Sequence, residues 1–119
     1  LTVARGMIAS LVFDVARMRA AIDQGYLVAT EVADYLVTKG VAFREAHDIS
    51  GHLVRTASDR GVELGALDLA TLKAAHASFE PDLADWLDPA RAIDRRDVVG
   101  GPARARVLAE IDRIASELE

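Results

Sequence analysis

Three histidines, five serines and a cluster of arginines carry whatever chemistry this 119-residue sequence could perform. His47 and His52 are five residues apart, about 140° around an α-helix, so a single metal ion cannot take both from one face. The sequence has no HExxH pair and no cysteine, which removes a helical zinc-hydrolase site and any thiolate metal site. Asp48 precedes His52 by one helical turn, a spacing suited to a surface ion pair or hydrogen bond. His47 shares a helix face with Arg44, three residues back, and with Gly51, four ahead. Gly51 leaves space there for a close approach. Two uses of that face are open. It is either a packed helix contact, with a backbone carbonyl satisfying His47, or a polar anchor at a domain junction made by Arg44 and His47. A small enzyme using His47 with Arg44 is a third reading. His76 stands alone.

Ser10, Ser50, Ser58, Ser78 and Ser116 lack the strand–turn–helix surroundings of a nucleophile elbow. The carboxylates are spread along helix faces, with no evident acid/base pair. Arg91, Arg95, Arg96, Arg104 and Arg106 surround Gly100-Gly101-Pro102, and a glycine turn opening a helix can bind an anion. The spacing and the Lys-Ser/Thr of a P-loop are absent. Asp94 and Asp97 are interleaved with the arginines, so a turn laced with ion pairs is the commoner outcome. No residue is expected to be catalytic or to bind metal. Arg44 and His47 remain the candidates for a polar contact at a domain junction.

The elements that would position these groups are helical throughout. Val3, Met7, Leu11, Val15, Met18 and Ile22 recur at spacings of three and four, with Ile8, Val12, Phe13 and Ala16 beside them. A continuous helix over Thr2–Ile22 would be roughly 30 Å long. Its wide apolar surface calls for more than one neighbour, more than the rest of this chain can supply. Asp23, Gln24 and Gly25 end it. Thr30 is the expected N-cap of a second helix, with Glu31 favourably placed in its first turn and Val32, Tyr35 and Leu36 inward. Gly40 closes that helix. A third helix runs from about Phe43 to Arg60, with Phe43, Ala46, Ile49, Leu53 and Ala57 as its apolar face and Gly61 as its C-cap. The short link between the two predicts an antiparallel helical hairpin. Asp68 caps a short helix carrying Leu69, Leu72 and Ala75. Pro81 and Pro89 suit first helical positions of brief pieces around Leu83–Leu87 and Ala90–Ile93. Pro102 opens a last helix to Leu118, with Val107, Leu108, Ile111, Ile114, Ala115 and Leu118 inward. The expected fold class is all-α: a long bundle-type helix followed by a small helical domain containing a helical hairpin.

Hydrophobic residues make up 51% of the chain but aromatics only 5%, so alanine supplies much of the apolar count and favours close helix packing. A net charge of −5 disfavours binding to phosphate backbones. Arg5, Asp14, Arg17 and Arg19 interrupt the apolar opening segment, which excludes a membrane span or signal-peptide core there. A cytoplasmic location is expected. Lysine occurs only at positions 39 and 73 while arginine is abundant, a usage that points to a GC-rich bacterial genome. The start at Leu1, almost directly in a helical pattern, suggests a piece of a longer polypeptide.

The run ATEVADYLVTKGVAFREAH, from Ala29 to His47, with Gly51 after it, resembles the C-terminal domain of argininosuccinate lyases. Ala92-Ile93-Asp94-Arg95-Arg96-Asp97-Val98-Val99-Gly100-Gly101 resembles a second landmark of that family, which usually continues Thr-Ala where this chain has Pro102-Ala103. The resemblance implies that residues 1–24 are the end of a central helical bundle and residues 25–119 the C-terminal helical domain. It implies a parent enzyme of the aspartase/fumarase superfamily, a homotetramer that splits argininosuccinate to fumarate and arginine by β-elimination in arginine biosynthesis, without metal or organic cofactor. The family's catalytic serine lies on a Gly-Ser-Ser-x-Met-Pro loop and its histidine on another segment, and neither motif occurs here. The domain is therefore expected to be structural and inactive alone, with the remainder of the lyase and its tetramer mates as partners and self-association through the first helix. The alternative is a stand-alone, non-catalytic interaction module derived from the same domain.

Overall fold

The computed structural model describes residues 1–22 and 25–118. These residues form eight α-helices and one 3₁₀ turn, with no strand among them: α1 (Thr2–Ala9), α2 (Val15–Ile22), α3 (Ala29–Thr38), α4 (Phe43–Arg60), the 3₁₀ turn Leu64–Ala66, α5 (Leu69–Ala75), α6 (Leu83–Trp86), α7 (Pro89–Asp94) and α8 (Arg104–Leu118).

The centre of the fold is the antiparallel hairpin of α3 and α4, the most extensively packed pair of elements. Val32, Ala33, Tyr35 and Leu36 of α3 meet Ala46, Leu53 and Ala57 of α4, and Leu64, Leu67, Leu72, Phe79 and Leu83 close the core from the following segments. Alanine at 33, 46 and 57 lets the helix axes approach, while Tyr35, Phe79 and Leu53 supply the volume. Across the hairpin the buried Ser50 hydroxyl donates to the Ala29 carbonyl at 2.6 Å, and the Tyr26 hydroxyl donates to the Val62 carbonyl at 3.0 Å.

Helix ends follow local chemistry. Gly40 and Gly61 take φ of 91° and 64° just past α3 and α4, a region where a Cβ is strained. The chain reversal lets Val41 N–H donate to Leu36 O and Val62 N–H to Ala57 O, both at 3.0 Å, in the manner of a Schellman cap. Asp68 accepts from Thr71 N–H at 2.6 Å to open α5. Asp88 accepts from Ala90 and Arg91 N–H at 2.8 and 3.2 Å to open α7, with Pro89 in its first turn.

Several expectations need correction. The opening stretch is not one helix but two of eight residues each, separated at Ser10–Asp14. The Ser10 hydroxyl bonds back to the carbonyls of Gly6 and Met7, a local bond that competes with continuing the helix. Asp14 then accepts from Arg17 N–H at 3.0 Å and starts a new one. The expected stop at Asp23 and Gln24 lies outside the described residues. Thr30 is not the N-cap of α3: Val28 holds that position without a side-chain bond, and Thr30 is already helical. Phe43 is 65% exposed rather than inward, because the buried stripe of α4 is Ala46–Ser50–Leu53–Ala57. Pro81 and Pro102 each stand two residues ahead of α6 and α8 instead of inside their first turns. The apolar residues expected to point inward from α8 are exposed, as α8 contributes no buried residue.

The caps make the fold sensitive to acid. The carboxyl of Asp68 is held below the usual range by the Thr71 backbone N–H, that of Asp88 by the Arg91 and Ala90 N–H groups, and that of Asp82 by the Tyr35 hydroxyl and then Lys39. A carboxyl lowered by folding contributes stability that is present above its unfolded value, about 3.9, and lost as pH falls through its lower folded value. The thermal midpoint is therefore expected to drop on acidification below pH ~4. Asp68→Asn with Asp88→Asn, which keeps capping oxygens, should flatten that drop; an unchanged acid limb would contradict the assignment.

Candidate functional site

A groove of about 590 Å³ runs along one side of the α3–α4 hairpin. Its floor is made of small residues, Ala29 and Ala33 from α3 with Ser50 and Gly51 from α4, and Phe43 and Val54 flank it. His47 and Arg55 line it from α4. Positions 44, 47, 51 and 55 fall on one stripe of that helix, by the three- and four-residue spacing of neighbours on a helix face. The Gly51 position is open except for the Arg55 guanidinium, 3.8 Å from where a Cβ would stand. Arg44 and His47 are both exposed, and neither takes part in an ion pair among the described residues. The imidazole ring lies 6.2 Å from the Phe43 ring, tilted by 38°. Of the two residues singled out from the sequence, His47 lines the groove and Arg44 does not, while Arg55, eight residues beyond His47 on the same helix, lines it and was missed.

The histidines do not converge. His52 is exposed, and its expected pairing with Asp48 is not among the ion pairs of the described residues. His76 Nδ1 accepts from Ser78 N–H at 3.2 Å, closing a turn. No group of three potential metal ligands gathers among the described residues.

Arg91, Arg95, Arg96 and Arg106 of the arginine cluster form ion pairs, with a partner that sequence reasoning missed. Glu31 of α3, 4% exposed, accepts from Arg95 at 2.9 Å and from Arg96. Arg95 also donates to the carbonyls of Asp85 and Trp86, and its guanidinium lies 4.4 Å over the Trp86 ring, a cation–π contact. Arg96 reaches Asp34 at 3.3 Å. Arg91 pairs with Asp85 and Arg106 with Asp97, while Asp94 accepts from Arg104 N–H at 3.2 Å. The signal for Glu31 was its spacing: it lies four residues before Tyr35, on the face that turns inward.

The sequence model of the family described as argininosuccinate lyase C-terminal matches residues 26–94, the hairpin together with α5, α6 and α7. The chain belongs to the argininosuccinate lyase C-terminal family. Similarity to curated lyases extends further. The argininosuccinate lyase of Nitratidesulfovibrio vulgaris (strain Miyazaki F) is 44% identical over 119 residues, all of this chain and 26% of that protein. That of Roseiflexus sp. is 49% identical over 111 residues, 93% of this chain and 24% of that protein. The chain therefore spans about a quarter of the length of the curated relatives it matches. A solved structure of an EDDS lyase variant with bound fumarate superposes with a TM-score of 0.78 at 33% identity, covering 87% of this chain and 22% of that one. Among the described residues, no helix is long and apolar enough to cross a membrane.

Proposed function

We propose that this chain is the C-terminal quarter of a bacterial argininosuccinate lyase, whose whole polypeptide cleaves argininosuccinate to fumarate and arginine by β-elimination, and that its own part is structural. The observations carrying this reading are 44% identity across the full 119 residues to a named lyase, of which they cover 26%, and the match of residues 26–94 to the C-terminal family model. In this reading residues 1–24 belong to the central bundle and residues 25–119 to the C-terminal domain. The apolar side chains of α1, α2 and the link between them support that division: Val3, Met7, Leu11, Val15 and Met18 are 53–78% exposed within this chain, a surface suited to burial against other helices. The remainder of the lyase and its tetramer mates, in the cytoplasm, are the proposed cover. Arg44 and His47, with Arg55, are proposed polar contacts at the domain junction. The small floor at Ala29, Ala33 and Gly51 admits a closely packed helix, and the cationic stripe favours an acidic one.

Two measurements test this. The isolated chain should release no fumarate from argininosuccinate, followed by ultraviolet absorbance, since its sequence lacks the Gly-Ser-Ser-x-Met-Pro loop; turnover by the pure chain would overturn a structural role. A chimera in which this chain replaces the matching quarter of the Nitratidesulfovibrio vulgaris lyase should split argininosuccinate. A chimera that folds and assembles yet stays inactive would count against the assignment.

A further inference from the structure

We infer that the groove along the α3–α4 hairpin seats a helix from the remainder of the parent lyase, which crosses α4 at Gly51 and gives a carboxylate to Arg55. The inference rests on the proposed place of this chain in a longer enzyme. The chain covers 26% and 24% of two curated relatives, so the occupant has ample polypeptide to come from. Gly51 is the first observation. It sits in the middle of α4 with right-handed helical backbone, where glycine weakens a helix relative to alanine. Nothing within this chain requires it. A Cβ there would meet only Nη1 of Arg55, at 3.8 Å, an ordinary contact with a flexible side chain. Gly40 and Gly61, by contrast, hold left-handed turns. A helical glycine with neither a backbone nor a packing reason inside its own chain fits the close approach of another backbone. It lines the groove with Ala29 and Ala33, so a helix laid there meets no bulky side chain at the crossing.

Charge is the second observation. His47, Arg55 and Arg96 are the basic residues of the groove lining. Arg96 is neutralised by Glu31 and Asp34. Arg55 takes part in no ion pair among the described residues, although Asp59 follows it by one helical turn. Its guanidinium lies over Gly51 instead, where a carboxylate on the crossing helix could take it in a paired hydrogen bond. Phe43, 65% exposed, flanks the groove about two turns to the other side of Gly51. These positions specify the occupant. It carries a small residue at the crossing, an Asp or Glu within a turn of it on one side, and an apolar residue about two turns away on the other.

Gly51→Leu and Arg55→Glu test this, each in the isolated chain and in the chimeric lyase described above. In the isolated chain, Gly51→Leu should raise the folding constant in urea about 2–5-fold, the gain from replacing a helical glycine. Arg55→Glu should change it about 2-fold or less, as an exposed substitution. In the chimera both should be harmful. The leucine wedges the crossing and the glutamate faces a like charge, so each should lower the thermal midpoint by about 3 °C or more. Neutral variants in an active chimera would overturn this inference and leave the parent reading standing. A chimera that does not assemble would remove both. Gly51→Leu weakening the isolated chain as much as the chimera would give the glycine an internal role. Altered sedimentation of the isolated variants would assign the groove to a second copy of this chain. Either of these last two results overturns the inference.

Discussion

Phe79→Ala is expected to destabilise the domain by about 3–5 kcal/mol, the range for deleting a fully buried aromatic ring. Phe79 lies on the irregular segment between α5 and α6 and is wholly buried. Its ring is stacked on that of Tyr35 with centroids 5.9 Å apart and planes 2° from parallel. Removing it empties the space between the hairpin and the segment that covers it. Single domains are stable by only about 5–15 kcal/mol, so this one change would consume a large share of the total. Urea unfolding of the variant would measure it. A loss below about 1 kcal/mol would show that the covering segment is dispensable to the core.

Tyr35 should give an effect of similar size, and it separates into two parts. Its ring is fully buried, stacked on Phe79 and edge-on to Trp86 at 5.6 Å. Its hydroxyl donates to Asp82 at 2.6 Å and accepts from Glu80 N–H at 3.1 Å. Burial, then the bond to Asp82, pushes the phenol above its ordinary value. Tyr35→Ala loses ring and hydroxyl together, about 3–5 kcal/mol. Tyr35→Phe keeps the ring but strands the Glu80 N–H, about 1–3 kcal/mol. The phenylalanine variant carries a second signature. Without the hydroxyl, the Asp82 carboxyl should return toward its usual range, because that bond is the first cause of its lowering. Direct titration of Asp82 by NMR should show the rise. An unmoved Asp82 would mean that Lys39, 3.2 Å away, suffices to hold it.

Both predictions concern a segment that periodicity alone does not describe. The α4 boundaries, Phe43–Arg60, were legible because an apolar repeat running as far as Ala57 is followed by a good C-cap glycine, Gly61. The hairpin followed from the short link at Lys39–Ala42. Asp68 was legible as a cap because its side chain acts on backbone three residues on, whereas the cap Asp88 was missed and only Pro89 beside it marked the start of α7. The candidate face was legible for the same reason: Arg44, His47 and Gly51 are neighbours on one helix, so spacing alone places them together.

What sequence reasoning could not place was decided by contacts between distant residues. Glu31 reads as a favourable first-turn acid, yet it is a buried partner of Arg95 and Arg96, 64 and 65 positions away. Phe79 follows no helical period, and its burial depends on Tyr35, Leu83 and the hairpin arriving together. The apolar stripe of α8 reads as inward, but a stripe states only that a surface avoids water and not which surface covers it. The opening stretch has the periodicity of one helix, while Ser10 and Asp14 divide it by local hydrogen bonds. The amino-acid order by itself determined the all-helical class, the hairpin and the family, because these rest on interactions within a few residues or on patterns repeated in register. The tertiary structure alone decided which charges are buried, which loop residue fills the core and which faces remain bare, because each depends on groups far apart in the chain.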